Sequence, residues 1–230
     1  MLKYHRSEHD RQNTLTDTYL IVGLGNPGAR YEGTRHNVGF RCVEAIAQKY
    51  NLTFSKTEHK SLTASGIIRN KRVLLAKPLT FMNLSGDAVQ PLAHFYKIPV
   101  ERLLVACDDL DIPFGTLRIR KSGSSGGQNG IRHIIERFGT QNIHRVRIGI
   151  GRPPGKMNPA DYVLSTFKGD DVITALTLID RAALAAETWL TDGIEAAMTQ
   201  FNGAGEDKQP PKPKTTKTPA TASSDDEQLL

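Results

Sequence analysis

Cysteine is nearly absent: Cys42 and Cys107 are the only two in 230 residues. That is too few for a disulfide framework, and their separation is not that of a metal-binding pair. A reducing compartment, the cytoplasm, is the expectation that follows. The seven histidines are scattered without the spacings that hold zinc, so neither a metal nor another cofactor is expected. Long apolar runs are missing too. None approaches the ~18 residues a membrane span needs, and Met1 to Thr18 lacks the hydrophobic core of a signal peptide. Glu8, Asp10 and Asp17 in that lead also speak against a transit peptide.

What the chain does have is positive charge, +6 in all. The tail from Ala204 carries four lysines against five acids, so the excess belongs to the body and a polyanionic partner fits it. Composition divides the chain into three parts. Residues 1–18 form a polar, aperiodic lead read as disordered. Residues 19–203 carry the apolar periodicities of one catalytic domain. Residues 204–230, rich in Pro, Lys and Thr, cannot bury a core and are read as a disordered tail.

The domain opens on Tyr19-Leu-Ile-Val22, an apolar run that suits a strand buried on both faces. It ends at Gly23-Leu-Gly-Asn-Pro-Gly28, where Gly25 and Gly28 admit close backbone approach and Pro27 keeps Asn26 out of the helical region. The spacing matches the dinucleotide fingerprint G-x-G-x-x-G, but its context is wrong. Helical periodicity (Val38, Val43, Ile46, Ala47, Tyr50) begins well past Gly28, and the acid about 20 residues on, Glu44, falls inside that helix. His36 stands at the helix start, beyond the end of a buried strand.

Downstream, Ser61–Ile68 and Arg72–Ala76 read as a hairpin turning at Arg69-Asn-Lys71. A helix with Val89, Leu92, Ala93 and Tyr96 inward follows Asn83, with Ser85 or Asn83 as its cap. Leu103–Cys107 is a buried strand that runs into Asp108-Asp-Leu-Asp111. Thr116–Arg120 and His144–Gly151 are strands on which Arg118 and Arg120, and Arg145 and Arg147, share an outward basic face. The glycine-rich segment Lys121–Gly130 opens a helix with Ile131, Ile134, Ile135 and Phe138 inward. Closing helices with Ile173, Leu176, Ile179, Ala183, Ala186 and Trp189 inward break near Asp192-Gly193. Strands alternating with helices, plus one hairpin, predict a single α/β domain: a mixed, mostly parallel sheet with helices on both faces.

In such a sheet the site lies at the carboxyl ends of the strands, where Asn26, His36, Asn83, Asp108 and Asn129 all fall. A histidine can take a proton from water, an aspartate can fix its tautomer, and asparagine amides can hold a carbonyl, a ribose hydroxyl or the attacking water. The residue types therefore predict hydrolysis without a covalent intermediate. Gly123-Ser-Ser125-Gly-Gly127 matches the G-x-S-x-G elbow, but it does not sit at a tight strand-to-helix turn, and no acid and histidine follow to complete a triad.

These segments together resemble the bacterial-type peptidyl-tRNA hydrolase family. The motifs are GLGNPG with Tyr31 and Thr34-Arg-His-Asn37, Thr80-Phe-Met-Asn-Leu-Ser-Gly86, Asp108-Asp-Leu-Asp111, Gly126-Gly-Gln-Asn-Gly130 and Arg147-Ile-Gly-Ile-Gly151. The resemblance spans Tyr19 to about Asn202. It implies an enzyme that cleaves the ester between a peptide and the 3′ ribose of tRNA, recycling tRNA as a cytoplasmic monomer without a cofactor. It implies His36 as general base and Asp108 as its carboxylate. Asn26, Asn83 and Asn129 would bind the peptide end, the terminal adenosine or the water, with Met82 as an apolar wall and Tyr31 on the substrate side. Arg118, Arg120 and Arg147 match positions of tRNA phosphate contact. Two departures are expected at the site's periphery: Gln128 where many relatives have histidine, and Cys107 where histidine is frequent. The alternative is a partner of the same fold that binds RNA in intron splicing without catalysis.

Overall fold

The computed structural model of the chain describes residues 18–202. Of the lead expected over residues 1–18, all but Thr18, which begins the first strand, lies outside these residues, as does the tail expected from Ala204. Seven strands form one sheet in the order β2-β3-β4-β1-β5-β7-β6. They are β1 (Thr18–Gly23), β2 (Lys56–Glu58), β3 (Ser61–Ile68), β4 (Lys71–Pro78), β5 (Leu103–Asp109), β6 (Leu117–Arg120) and β7 (His144–Gly149). β4, β1, β5 and β7 run parallel. The hairpin β3–β4 turns through Arg69 and Asn70, both at positive φ, and β6 closes the far edge antiparallel to β7. The mixed sheet is therefore as expected. The short edge strand β2 is an addition that its polar sequence, Lys-Thr-Glu, does not announce.

Helices cover both faces. Helices α1 (Val38–Lys49), α5 (Asp171–Asp192) and α6 (Ile194–Asn202) lie on one side, and α2 (Gly86–Phe95) and α3 (Asn129–Phe138) on the other. A short helix, α4 (Pro159–Val163), lies near the carboxyl edge of the sheet. Alternation within β1 serves both layers: Ile21 packs with Val38 and Val43, and Leu20 and Val22 pack with Val89 and Ile131. Each such side chain, fully removed from water, contributes about 1.5–3 kcal/mol. β1 is thus a central strand, and the chain's own path makes it the switch point. It is flanked by β4 on one side, and the chain then crosses through α2 to β5 on the other.

Two local assignments differ from expectation. On α5 the buried stripe is Ala175, Leu178, Ile179, Ala182, Ala183, Ala185, Ala186 and Trp189, while Ile173 and Leu176 are exposed. Small alanines let α5 settle close against the α1 side, and the larger residues at its start reach past that contact into solvent. On α2, Ser85 takes the cap position, but its hydroxyl donates to the Met82 carbonyl (2.8 Å) rather than accepting from the helix. The helix break at Gly193, with φ 88°, is where the sequence places it.

Candidate active site

The carboxyl ends of β1 and β5 are brought together by backbone contacts. Leu24 N–H donates to the Ala106 carbonyl (2.9 Å), and Phe40 N–H donates to the Leu24 carbonyl (3.2 Å). Helix α1 can sit this close because its second residue is Gly39. A Cβ there would fall on the backbone of Ala106 and Leu24. The 3-10 turn Arg35–Asn37 before α1 is consequently held above the end of β5.

That placement brings His36 to Asp108. His36 Nδ1 lies 2.8 Å from Asp108 Oδ2, and the two side chains are only 13% and 4% exposed. With the carboxylate ionised, Nδ1–H is the donor and Nε2 is left for chemistry. Burial pulls the His36 pKa down, but the charge of Asp108 and the hydrogen bond to it outweigh burial, so the net shift is upward. Asp108 Oδ1 is also engaged: Gln128 Nε2 donates to it at 3.0 Å. Gln128 is buried and caps α3 through Oε1, which accepts from Ile131 N–H (2.8 Å). Its position is thus central rather than peripheral, a correction that sequence separation concealed. Cys107 faces the other way, into the α2–α3 layer, where burial pushes its thiol pKa up.

Asn26 is fixed from two sides. Its N–H donates to Asn37 Oδ1 (2.8 Å), and its carbonyl accepts from Asn37 Nδ2 (3.0 Å). Its own Oδ1 accepts from Met82 N–H (2.8 Å), which ties the β1 loop to the turn after β4. Only the Nδ2 donor remains for a ligand. Asn37 was not singled out in the sequence, although its place inside the Thr34–Asn37 motif was a signal. Gly130 completes the joint, because a Cβ there would press on the Met82 sulfur and Leu24.

These residues line a cleft of about 750 Å³ with Asn26, His36, Met82, Asn83, Asp108 and Asn129 all on its walls. Tyr31 is not on that lining. It sits half-buried in the turn after Gly28 with the Arg30 guanidinium 4.5 Å over its ring. Ser125 is likewise outside the lining. Pro159, Ala160, Val163 and Leu164 form the opposing wall. Arg35 holds that wall to the His36 turn. Its N–H donates to the Ser165 carbonyl (2.9 Å), and Nη2 meets Asp171 at 3.2 Å. The guanidinium lies 4.7 Å from the Tyr162 ring centre and 4.4 Å from that of Phe167.

The arginines divide. Arg118 pairs across the ladder with Arg147, and Arg120 with Arg145, so all four share a face as expected. Arg145 is nevertheless buried, donating to the carbonyls of Gly123, Ser124, Gln141 and Ile143, because the glycine-rich loop folds over it. Arg147 is ion-paired with Asp109, whose pKa burial raises despite that partner. Among the described residues neither Arg118 nor Arg120 has an ion-pair partner. Among the described residues no group of three or more His, Cys, Asp or Glu is arranged for a metal ion, and no helix is long and apolar enough to cross a membrane.

Comparison with known proteins gives a consistent result. The family model described as peptidyl-tRNA hydrolase matches residues 20–211. The peptidyl-tRNA hydrolase of Chloroflexus aggregans is 52% identical over 185 residues, covering 80% of this chain and 98% of that protein. That of Bacillus cytotoxicus is 43% identical over 183 residues, with the same coverage. The crystal structure of peptidyl-tRNA hydrolase from Acinetobacter baumannii superposes with a TM-score of 0.76 at 38% identity, covering 82% of this chain and 96% of that one.

Proposed function

The chain belongs to the peptidyl-tRNA hydrolase family, and from that premise we propose that His36 and Asp108 carry out hydrolysis of the ester between a peptide and the 3′ end of tRNA. The observation that carries this reading is the 2.8 Å contact between His36 and Asp108 on the wall of a cleft of about 750 Å³. His36 Nε2 takes a proton from water as the oxygen attacks the ester carbonyl, and Asp108 stabilises the imidazolium that forms. The tetrahedral intermediate collapses with loss of the ribose 3′ oxygen, which receives the proton back from His36. Peptide acid and free tRNA are the products.

Around this step, the free Nδ2 donor of Asn26 and the amides of Asn83 and Asn129 hold the acyl oxygen, the peptide end or the terminal ribose. Met82, buried with its sulfur 3.1 Å from Gln128 Nε2, supplies the apolar wall. Arg118 and Arg120 attract the tRNA backbone from the sheet edge, with Arg147 between them and the cleft. The reading takes the enzyme as a monomer acting in the cytoplasm. An intact base, carboxylate and open cleft support catalysis over a role confined to RNA binding. Incubation with N-acetylaminoacyl-tRNA tests the reading: free tRNA should be released, and absence of release would leave only the binding role.

A further inference from the structure

A second cleft, of about 410 Å³, meets the first at Asn26, which lines both. The partition between them is rigid: Asn37 holds the Asn26 backbone at both its N–H and its carbonyl, and Met82 N–H holds its side chain. Phe40, Leu62 and Leu79 give the second cleft an apolar lining, and Leu79 is 40% exposed there although it is a large aliphatic residue. Its rim is charge-balanced. Lys77 is paired with Glu44 at 2.6 Å, and Arg41 stands with Glu32 on the same lining.

Resting on the hydrolase reading above, we propose that this second cleft binds the distal part of the substrate's peptide. The first cleft has the volume of a site for one drug-sized ligand, roughly 300–1,000 Å³, so a terminal adenosine and the first aminoacyl residue occupy it. An extended peptide gains ~3.3–3.6 Å per residue, so a longer one has to leave past one of the walls. Past Asn26 it meets the second cleft, where Leu79 presents exposed apolar surface. Balanced charge and a lining that mixes apolar and polar side chains suit a peptide of mixed composition, whereas an RNA backbone would call for a positive excess.

The chain offers a clean test. Cys42 and Cys107 are its only cysteines and both are buried, so in Leu79→Cys a bulky maleimide reacts at residue 79 alone, after folding. Unlabelled and labelled L79C are compared on N-acetylaminoacyl-tRNA and on an N-blocked hexapeptidyl-tRNA ending in the same aminoacyl residue. The unlabelled protein should show a KM about tenfold lower for the long substrate, the gain of burying roughly one apolar side chain. Labelling should erase that advantage and leave the short substrate's kcat and KM unchanged. A length advantage that survives labelling, or no advantage before it, overturns the proposal. So does an equal loss on both substrates, since the cleft would then not be separate from the site. Failure of the hydrolase reading is distinct: neither substrate would be cleaved by either form.

Discussion

Gln128 and His36 grip the same carboxylate from opposite oxygens, Gln128 Nε2 at Oδ1 of Asp108 (3.0 Å) and His36 Nδ1 at Oδ2 (2.8 Å). The carboxylate is thereby held in one orientation by a neutral amide that does not titrate. Gln128→Ala leaves Oδ1 buried without its donor and removes the α3 cap, each a loss on the order of 1–3 kcal/mol or less. Thermal unfolding should show the destabilisation, and kcat should fall with KM little changed. A stability and kcat equal to wild type would show that Asp108 is positioned without Gln128.

If His36 is the base, His36→Ala or His36→Asn should lower kcat by ~10²–10⁴ while leaving tRNA affinity nearly intact. Single-turnover rates and tRNA binding by the inactive variant check this together. A residual rate above about a tenth of wild type is too high for loss of a general base.

The upward shift of the His36 pKa has a sign that can be read in two ways. Activity needs the neutral imidazole, so kcat/KM should rise with pH through a value above 6.5. Asp108→Asn removes the charge that raises it and leaves at most a neutral acceptor against burial, so the limb should move to lower pH as the rate falls. For stability the direction reverses: the paired imidazolium stabilises the fold fully below 6.5, and the contribution is lost as pH rises through the raised folded value. Denaturation midpoints of wild type and His36→Asn should therefore converge toward alkaline pH.

Much of this site was legible because its parts stand at strand ends marked by glycine, proline and acids. β1 and β5 announce themselves as short apolar runs, and Asn26, just past the end of β1, and Asp108, in the last residues of β5, are where a parallel sheet puts its chemistry. What was not legible depends on side chains that meet only after folding. Asn37 clamps the backbone of Asn26, and Gln128 reaches Asp108 across a 20-residue separation. Alternation on β7 put Arg145 on the correct face, yet no periodicity reveals that the loop near Gly123 and Ser124 folds back and covers that residue. On α5 the helical spacing of Ile173 and Leu176 suggested burial, whereas the close helix contact selects alanine.

Discrimination between blocked and free α-amino groups follows from what the cleft lacks. The acceptor oxygen of Asn26 is used by Met82 N–H, leaving a donor that cannot pair with an ammonium. The carboxylates of the cleft are also occupied: Asp108 by His36 and Gln128, Asp109 by Arg147, and Asp111 by Arg152. A free aminoacyl ester would bring its ammonium into a site whose carboxylates are already paired, so the charge gains no ionic partner to offset its desolvation, whereas an acylated nitrogen carries no such charge. N-acetylaminoacyl-tRNA should be cleaved much faster than the unblocked ester. Equal kcat/KM for the two would refute this account of the pocket.

The basic edge makes the last prediction. Arg118 and Arg120 project from one face of β6 with no ion-pair partner among the described residues, unlike Arg147 and Arg145 opposite them, which are engaged by Asp109 and by loop carbonyls. Phosphate contacts add affinity without acting on the ester, so the double change of Arg118 and Arg120 to alanine should raise KM and affect kcat less. Each lost contact should also flatten the dependence of log KM on log salt by roughly one unit. Because neither side chain makes an ion pair among the described residues, the fold should be little affected, and its unfolding midpoint serves as the internal control. An unchanged salt slope in the double variant would mean that these arginines are only a solvated strand face, and would take the β6 edge out of the tRNA path.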